Sequence, residues 1–380
     1  MKFVIVALLI WGGMHAYVWA HVRGHAGLDP RWASGLALAM LVLMVFPVCG
    51  MSLARSGHTA LGRPLEAVGM VWSGVFFLLF SISIVHGVWN ALMLLGGLLH
   101  PAFHAARLTG PRVLAVEAAL VLAISIYSAF EAWQIRAEHV RLESPKLSAD
   151  VPRVRIVLVS DIHLGGMVGR RRLARIARIV RATEPDLLVS AGDLVDADMR
   201  DAQELAGMLA DLPAPFGKYA VTGNHEYYAG LSAALEFTRR AGFRVLADGV
   251  ARPCEGLTLA GVNDRPAHWV QTGEGERRDE QEVLRDAVAG DFVVLLKHRP
   301  LVEQESLPLM DLQLSGHTHR GQIFPFSLLV AAHYEYGHGL VQPAAGTHLY
   351  TSRGTGTWGP PMRFLSPPEV TVIDVIRSEP

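Results

Sequence analysis

Four apolar stretches before residue 136 constrain this chain more than any other feature. They run roughly from Phe3 to Ala20, Ala33 to Ala54, Ala67 to Trp89 and Val113 to Trp133. A helix needs about 20 mostly apolar residues to cross a bilayer, and each stretch comes close to that length. The region 1–135 is therefore expected to be an all-α bundle of about four transmembrane helices, a multi-pass anchor in the cell membrane. The third stretch continues in apolar sequence to Leu99, as a longer tilted helix or an interfacial extension. The first could pass for a cleavable signal peptide. Trp11, His15 and Trp19 interrupt its apolar core, however, and three further spans follow, so it reads as retained.

His15, His86, Glu117 and Glu131 are ionisable residues in or near these spans. Such residues can mark an ion or proton path. Glu117 and Glu131 lie toward opposite ends of the fourth stretch, where side chains can reach the interface, so anchoring is the expected role. With four spans, the N-terminus and the chain after the last span share one side. That side carries Lys2, Arg55, Arg63, Arg136, Arg141 and Lys146, and the other carries Arg23, Arg31, Arg107 and Arg112. The excess of Lys and Arg on the inner side of membrane proteins then places the C-terminal half in the cytoplasm, by a narrow margin.

The hydrophobic fraction of 51% and the charged fraction of 18% average over two unlike halves. A net charge of −1 offers no basic face for nucleic acid, which is not an expected partner. Cys49 and Cys254 fall in different halves without a CxxC spacing, so neither a disulfide nor a zinc knuckle is expected.

Residues 136–152 are polar, include Pro145 and Pro152, and read as a linker to a domain over 153–378. Val154–Ser160 (VRIVLVS) is a short, nearly continuous apolar run ending at Asp161, as a buried strand reads. The pattern recurs: Asp186–Ala191 ends at Gly192-Asp193, Lys218–Thr222 at Gly223-Asn224, Phe292–Leu296 at Lys297-His298, and Leu312–Leu314 at Ser315-Gly316-His317. Helical patterns near 170–182, 201–210, 231–241 and 279–289 lie among them, which argues for an α/β domain. Thr258–Gly261, His348–Ser352 and Val370–Val375 look like strands without intervening helices, so a second, mixed sheet is expected to pack on the first.

Polar residues follow the ends of five of these strands, where α/β sheets put their ligands. They are Asp161 and His163 (SDIHLG), Asp193 (AGDLVD), Asn224 and His225 (TGNHEYY), His298 (LLKHRP), and His317 and His319 (SGHTHRGQ). Gly192, Gly223 and Gly316 accompany them and allow tight turns with close backbone approach. Any one piece has a bland reading as a turn, a cap or a polar loop. Two aspartates, an asparagine and five histidines, all following strand ends in one order, point instead to a metal centre.

The ordered set D-x-H, G-D-x-x-D, G-N-H-E, an isolated histidine after a strand, and G-H-T-H resembles the calcineurin-like metallophosphoesterase superfamily. The tail Ser352–Pro368 (SRGTGTWGPPMRFLSPP), with the multi-span N-terminal half, more narrowly resembles its transmembrane branch. Some members of that branch hydrolyse UDP-2,3-diacylglucosamine in lipid A synthesis. The resemblance implies a four-layer α/β/β/α sandwich that hydrolyses a phosphoester or pyrophosphate bond by attack of a hydroxide held between two metals. It implies that Asp161, His163 and His319 hold one metal, that Asn224, His298 and His317 hold the other, and that Asp193 bridges them. His225 is expected to assist the leaving group, and Asp196 and Glu226 either to orient ligands from behind or to be solvated at the surface. Mixed imidazole and oxygen ligands suit Mn, Fe or Zn better than Mg. Arg170, Arg171 and Arg172 follow the first motif and are read either as an anion contact or as a solvated helix start. Phe324–Val330 (FPFSLLV) is either a buried strand and turn or a lip that admits a lipid-linked substrate. The remaining alternatives are a broad phosphodiesterase or phosphomonoesterase acting on soluble substrates, and a non-catalytic membrane scaffold.

Overall fold

A computed structural model describes residues 2–196, 202–264 and 278–379. The chain divides into two compact units, Met1–Ala129 with Gly359–Met362, and Phe130–Trp358 with Arg363–Pro380.

The first unit contains α1 (Lys2–Ala26), α2 (Pro30–Arg55), α3 (Thr59–Gly96), the single turn α4 (Ala102–Ala105) and most of α5 (Pro111–Trp133). Helices α1, α2, α3 and α5 are long and apolar enough to cross a membrane. The third apolar stretch and its continuation form one helix of 38 residues, about 57 Å long at 1.5 Å per residue, well beyond a hydrocarbon core of about 30 Å. Helices α2 and α3 meet along Gly50, Gly62 and Gly69, where a Cβ would run into the backbone or proline ring of the facing helix. Small residues at such seams let helices approach closely in a medium where the hydrophobic effect does not drive them together. Val18, Met40 and Phe76 form the centre of this unit. His15 is part of its packing: its ring stacks on Phe76 and its Nδ1 lies 2.8 Å from the Trp11 carbonyl.

The second unit holds β1 (Arg136–Ser144), β2 (Arg153–Val159), α6 (Arg170–Ala182), β3 (Leu187–Ser190), α7 (Ala202–Ala210), β4 (Lys218–Ala220), α8 (Asn224–Ala229) and α9 (Leu231–Arg240). It continues with β5 (Arg244–Val245), β6 (Gly249–Cys254), β7 (Leu257–Val262), α10 (Glu280–Arg285), β8 (Phe292–Lys297) and β9 (Leu312–Ser315). The last elements are α11 (Phe326–His333), β10 (Gly339–Ala344), β11 (Thr347–Thr351) and β12 (Glu369–Arg377). Two six-stranded sheets result, in the orders β1-β12-β2-β3-β4-β5 and β10-β11-β9-β8-β7-β6.

Successive strand residues face opposite ways, which explains why β2 reads as an unbroken apolar run. Ile156 and Leu158 pack with Leu259, Val294, Leu296 and Leu314 between the sheets. Val157 and Val159 turn the other way, onto Ile176 and Val180 of α6 and Leu205 and Leu209 of α7. The outer face of the second sheet is covered by Val283 and Leu284 of α10 with Leu307 and Met310. The layers are thus α/β/β/α, the expected class.

Two expectations need correction, and one open alternative is narrowed. Residues 136–144, read as linker, form an edge strand that pairs in parallel with β12. Their charged, alternating pattern is what an exposed edge carries. The glutamates of the fourth span are buried within the protein rather than exposed at its surface. Glu131 is 3% exposed and accepts hydrogen bonds from the backbone N–H groups of Leu365 (3.1 Å) and Ser366 (3.0 Å). Glu117 is 5% exposed and sits among histidines. Phe324–Val330 is not a buried strand; it leads into α11, which has no buried residue. Cys49 and Cys254 are both free, as expected.

Candidate metal centre

Strands β2, β3 and β4 run parallel in one sheet, and β8 runs parallel to β9 in the other. The loop after β2 carries Asp161 and His163, and the loop after β3 carries Asp193. The sequence after β4 begins α8 with Asn224 and His225, and the loops after β8 and β9 carry His298, His317 and His319.

These side chains converge. His163 Nε2 lies 3.1 Å from His319 Nε2, and His319 Nε2 lies 3.6 Å from Asp161 Oδ1. His298 Nε2 lies 3.1 Å from His317 Nδ1 and 3.2 Å from Asn224 Oδ1. Asp193 stands between the two groups, its Oδ2 3.2 Å from His298 Nε2 and 3.8 Å from His163 Nε2. Two imidazole nitrogens in contact can share only one proton. Ligands of a tetrahedral cation with bonds of about 2.0–2.1 Å sit about 3.4 Å apart, so the spacing and the donor chemistry fit a cation in each group.

The backbone around these residues is unusual. Asp161 (φ 53°), His163 (φ 55°), Asp193 (φ 52°), His317 (φ 72°) and His319 (φ 48°) all adopt left-handed conformations. Such conformations are uncommon outside glycine and cost about 1–3 kcal/mol each unless the surroundings impose them. At Gly316 a Cβ would collide with Ser160 and Asp161, and at Gly223 with Asp193. The two glycines are what let the loops close on the ligands.

Burial holds the His163 imidazole down to about 4 and His317 to about 3, and it also holds His319 well below the usual range, with Arg363 adding to the effect. These rings are neutral, the state in which they can ligate. Burial also pushes Asp161 up to about 6. At Asp193 burial opposes ionisation, but His298 and His225 outweigh it and keep the carboxyl well below its ordinary range. Conversely, burial disfavours charge on His298, yet Asp193 raises it to about 10. Asp193 and His298 thus hold each other in their charged forms.

The remaining expected residues fall into place differently. His225 Nδ1 lies 3.2 Å from Asp196 Oδ1, and the His225 backbone N–H donates to Asp193 Oδ1 at 2.8 Å. Glu226 does not face solvent. Its carboxylate accepts from the backbone N–H groups of Gly223 (2.6 Å), Asp193 (3.0 Å) and Leu194 (2.7 Å), tying the β3 loop to α8. Arg170 lies on α6, 73% exposed at its side chain and paired with Glu204 at 2.5 Å. It matches the solvated helix start rather than the anion contact.

Sequence reading missed Arg363. It is fully buried, with Nη2 3.0 Å from His319 Nδ1, and it donates to the carbonyls of Gly356 (2.6 Å) and Arg353 (2.6 Å). A single arginine in a Pro- and Gly-rich tail carries no periodic signal. Trp358, whose ring centroid is 5.8 Å from that of His225, was missed for the same reason.

The model of the calcineurin-like phosphoesterase family matches residues 154–321. A metallophosphoesterase of Aquifex aeolicus is 38% identical over 67% of this chain and 97% of the relative. A transmembrane protein with metallophosphoesterase domain from Danio rerio is 31% identical over 79% of this chain and 71% of the relative. A metallophosphoesterase of Campylobacter jejuni is 27% identical over 98% of each. The fold and the strand-end cluster define a dimetal phosphoesterase. The chain belongs to the calcineurin-like metallophosphoesterases, in their transmembrane branch, and is a metal-dependent hydrolase.

Proposed function

We propose that this membrane protein is a two-metal phosphoesterase in which Asp161, His163 and His319 hold one divalent cation, Asn224, His298 and His317 hold the other, and Asp193 bridges them. The observation that carries this reading is the position of Asp193, whose Oδ2 is 3.2 Å from His298 Nε2 and 3.8 Å from His163 Nε2. Four imidazoles with two carboxylates and one amide oxygen suit Mn, Fe or Zn better than Mg. Such a pair, when bound, makes water nucleophilic near neutral pH and clamps the oxygens of an in-line displacement at phosphorus.

The chain's own residues do the rest. Burial lowers the His225 imidazole, but Asp193 and Asp196 outweigh it and raise it, and its Nδ1 lies 3.2 Å from Asp196 Oδ1, which would orient the ring as a proton donor to the leaving oxygen. Glu226 holds the backbone of Asp193 in its left-handed turn through the N–H groups that it accepts from. Arg363 cross-links the tail to the His319 loop.

The substrate is a phosphate or pyrophosphate ester bearing acyl chains. Apolar surface supports this: Trp358 beside His225 is 55% exposed, and Leu328 and Leu329 of α11, close in sequence to His319, are 61% and 63% exposed. Exposed apolar residues grouped near a site mark a binding surface for apolar ligands. UDP-2,3-diacylglucosamine in liposomes is the test compound, measured against a soluble nucleotide diester. The expected preference in kcat/KM is about tenfold or more, which is 1.4 kcal/mol of differential transition-state binding. Equal rates would replace the lipid reading with a broad phosphodiesterase.

The division into an anchor over 1–135 and a catalytic domain to residue 378 is kept, except that the catalytic domain begins at β1. The distribution of Lys and Arg around the spans favours a cytoplasmic catalytic domain. Protease digestion of sealed inside-out vesicles tests it, and protection of the catalytic domain there would reverse the assignment.

A further inference from the structure

A second cluster of metal-ligating side chains lies in the helical unit. His21 and His25 are four residues apart on α1, so they share one helix face. His86 comes from α3 and Glu117 from α5. The ring centroids of His21, His25 and His86 lie 4.7–5.0 Å apart, and each ring places one nitrogen within 4.8 Å of those on the other two. Glu117 reaches two of them: Oε1 is 2.6 Å from His86 Nδ1 and Oε2 is 2.9 Å from His21 Nε2. Both the His86 and Glu117 side chains are nearly sealed from solvent, 5% and 6% exposed.

We propose that His21, His25, His86 and Glu117 form a further metal site, for a divalent transition ion such as zinc, that staples α1, α3 and α5 together. Three arguments carry it. Ionisable residues are costly inside a membrane bundle, and four gathered at one place call for a partner that uses them all. One carboxylate can receive hydrogen bonds from two imidazoles, but it gives the third ring, which stands 4.7 Å from each of the others, no equivalent role. A cation does: three imidazole nitrogens and one carboxylate oxygen make the closed tetrahedral set of a structural zinc.

His86 is held from both sides: its Nε2 lies 2.8 Å from the Leu108 carbonyl and 2.7 Å from Asn90 Nδ2, and its Nδ1 faces Glu117 at 2.6 Å. Ligating histidines are held in a similar way, one ring nitrogen on supporting groups and the other toward the ion. Asn90 completes the support: its Nδ2 donates to the same carbonyl at 2.7 Å, and its Oδ1 accepts from the Leu108 N–H at 2.8 Å. A cation would take the place of the protons between Glu117 and the two rings, and the three ring nitrogens, within 4.8 Å of one another, would draw together toward the ligand spacing of about 3.4 Å.

The test uses full-length protein in detergent, stripped with chelator, reloaded with zinc or with cobalt, and washed. Wild type is expected to retain three ions per chain and His21→Ala/His25→Ala two. Asp193→Asn, which removes the bridge of the catalytic pair, is expected to keep one, with a tetrahedral cobalt absorption that disappears when Glu117→Ala is added. Glu117→Gln preserves side-chain volume while removing the ligand's charge, and is expected to weaken the third ion's affinity about 100-fold or more, since loss of a direct ligand costs more than the roughly 10–100-fold typical of outer partners. Equal ion counts in wild type and His21→Ala/His25→Ala, or no ion in folded Asp193→Asn, would overturn the proposal and leave a proton-sharing cluster. Failure of the catalytic assignment looks different, since Asp193→Asn would then keep every ion that wild type holds.

Discussion

In the catalytic half, Asp161, His163, Asp193, His317 and His319 sit on loops with left-handed backbone at the ends of strands. In the apolar half, His21, His25, His86 and Glu117 project from regular helices. The first arrangement stores strain, so the surrounding sandwich must impose it: Gly316 and Gly223 make room, and Glu226 ties down the β3 loop. The second needs no strained residue, because positions four apart on a helix already face one way and neighbouring helices supply the rest. A site that reshapes phosphorus chemistry has to aim its ligands individually, whereas a staple only has to bridge helices.

The comparison breaks first at Asp193. Asp193→Asn removes the shared ligand, and activity is expected to fall by about 10⁴-fold or more, with both catalytic ions lost in elemental analysis, since the two-metal clamp supplies several kcal/mol. His225→Ala separates acid assistance from ion binding. Its kcat should fall about 100–1000-fold while metal content stays at the wild-type value, and loss of metal would show that His225 is a ligand. Glu226→Ala leaves the Gly223, Asp193 and Leu194 N–H groups without their buried acceptor. A stability loss of about 3 kcal/mol is expected by denaturant titration, in keeping with 1–3 kcal/mol for each buried group left unpaired. The smallest effect belongs to the apolar half: Gly62→Val overpacks the α2–α3 seam and should cost about 1–3 kcal/mol in detergent. It should leave kcat within about twofold, because the neighbours of Gly62, Ala54 and Gly50, include none of the proposed catalytic ligands.

The same contrast explains what could be read from the sequence. Each proposed ligand follows an apolar strand, and three of the seven, Asp193, Asn224 and His317, stand directly after a glycine, so these announce themselves locally. β1 did not, because a polar edge strand resembles a linker until its partner, β12, is known. Arg363 was invisible for a related reason: it acts on His319 from 44 residues away in the chain through contacts that leave no pattern. Glu117 was misjudged because position along a span says how deep a residue sits but not which way it faces. Its partners His21 and His86 lie 96 and 31 residues away. Phe324–Val330 left two readings open because a short apolar run fits a buried strand or an exposed helix equally well.

Pulsed and continuous-wave EPR of the full-length protein loaded with manganese tests the central claim most directly. Two Mn(II) ions sharing the Asp193 carboxylate about 3.5–4 Å apart should give an exchange-coupled signal that Asp193→Asn abolishes. An uncoupled Mn(II) spectrum in the wild-type protein, unchanged by that substitution, would contradict the account.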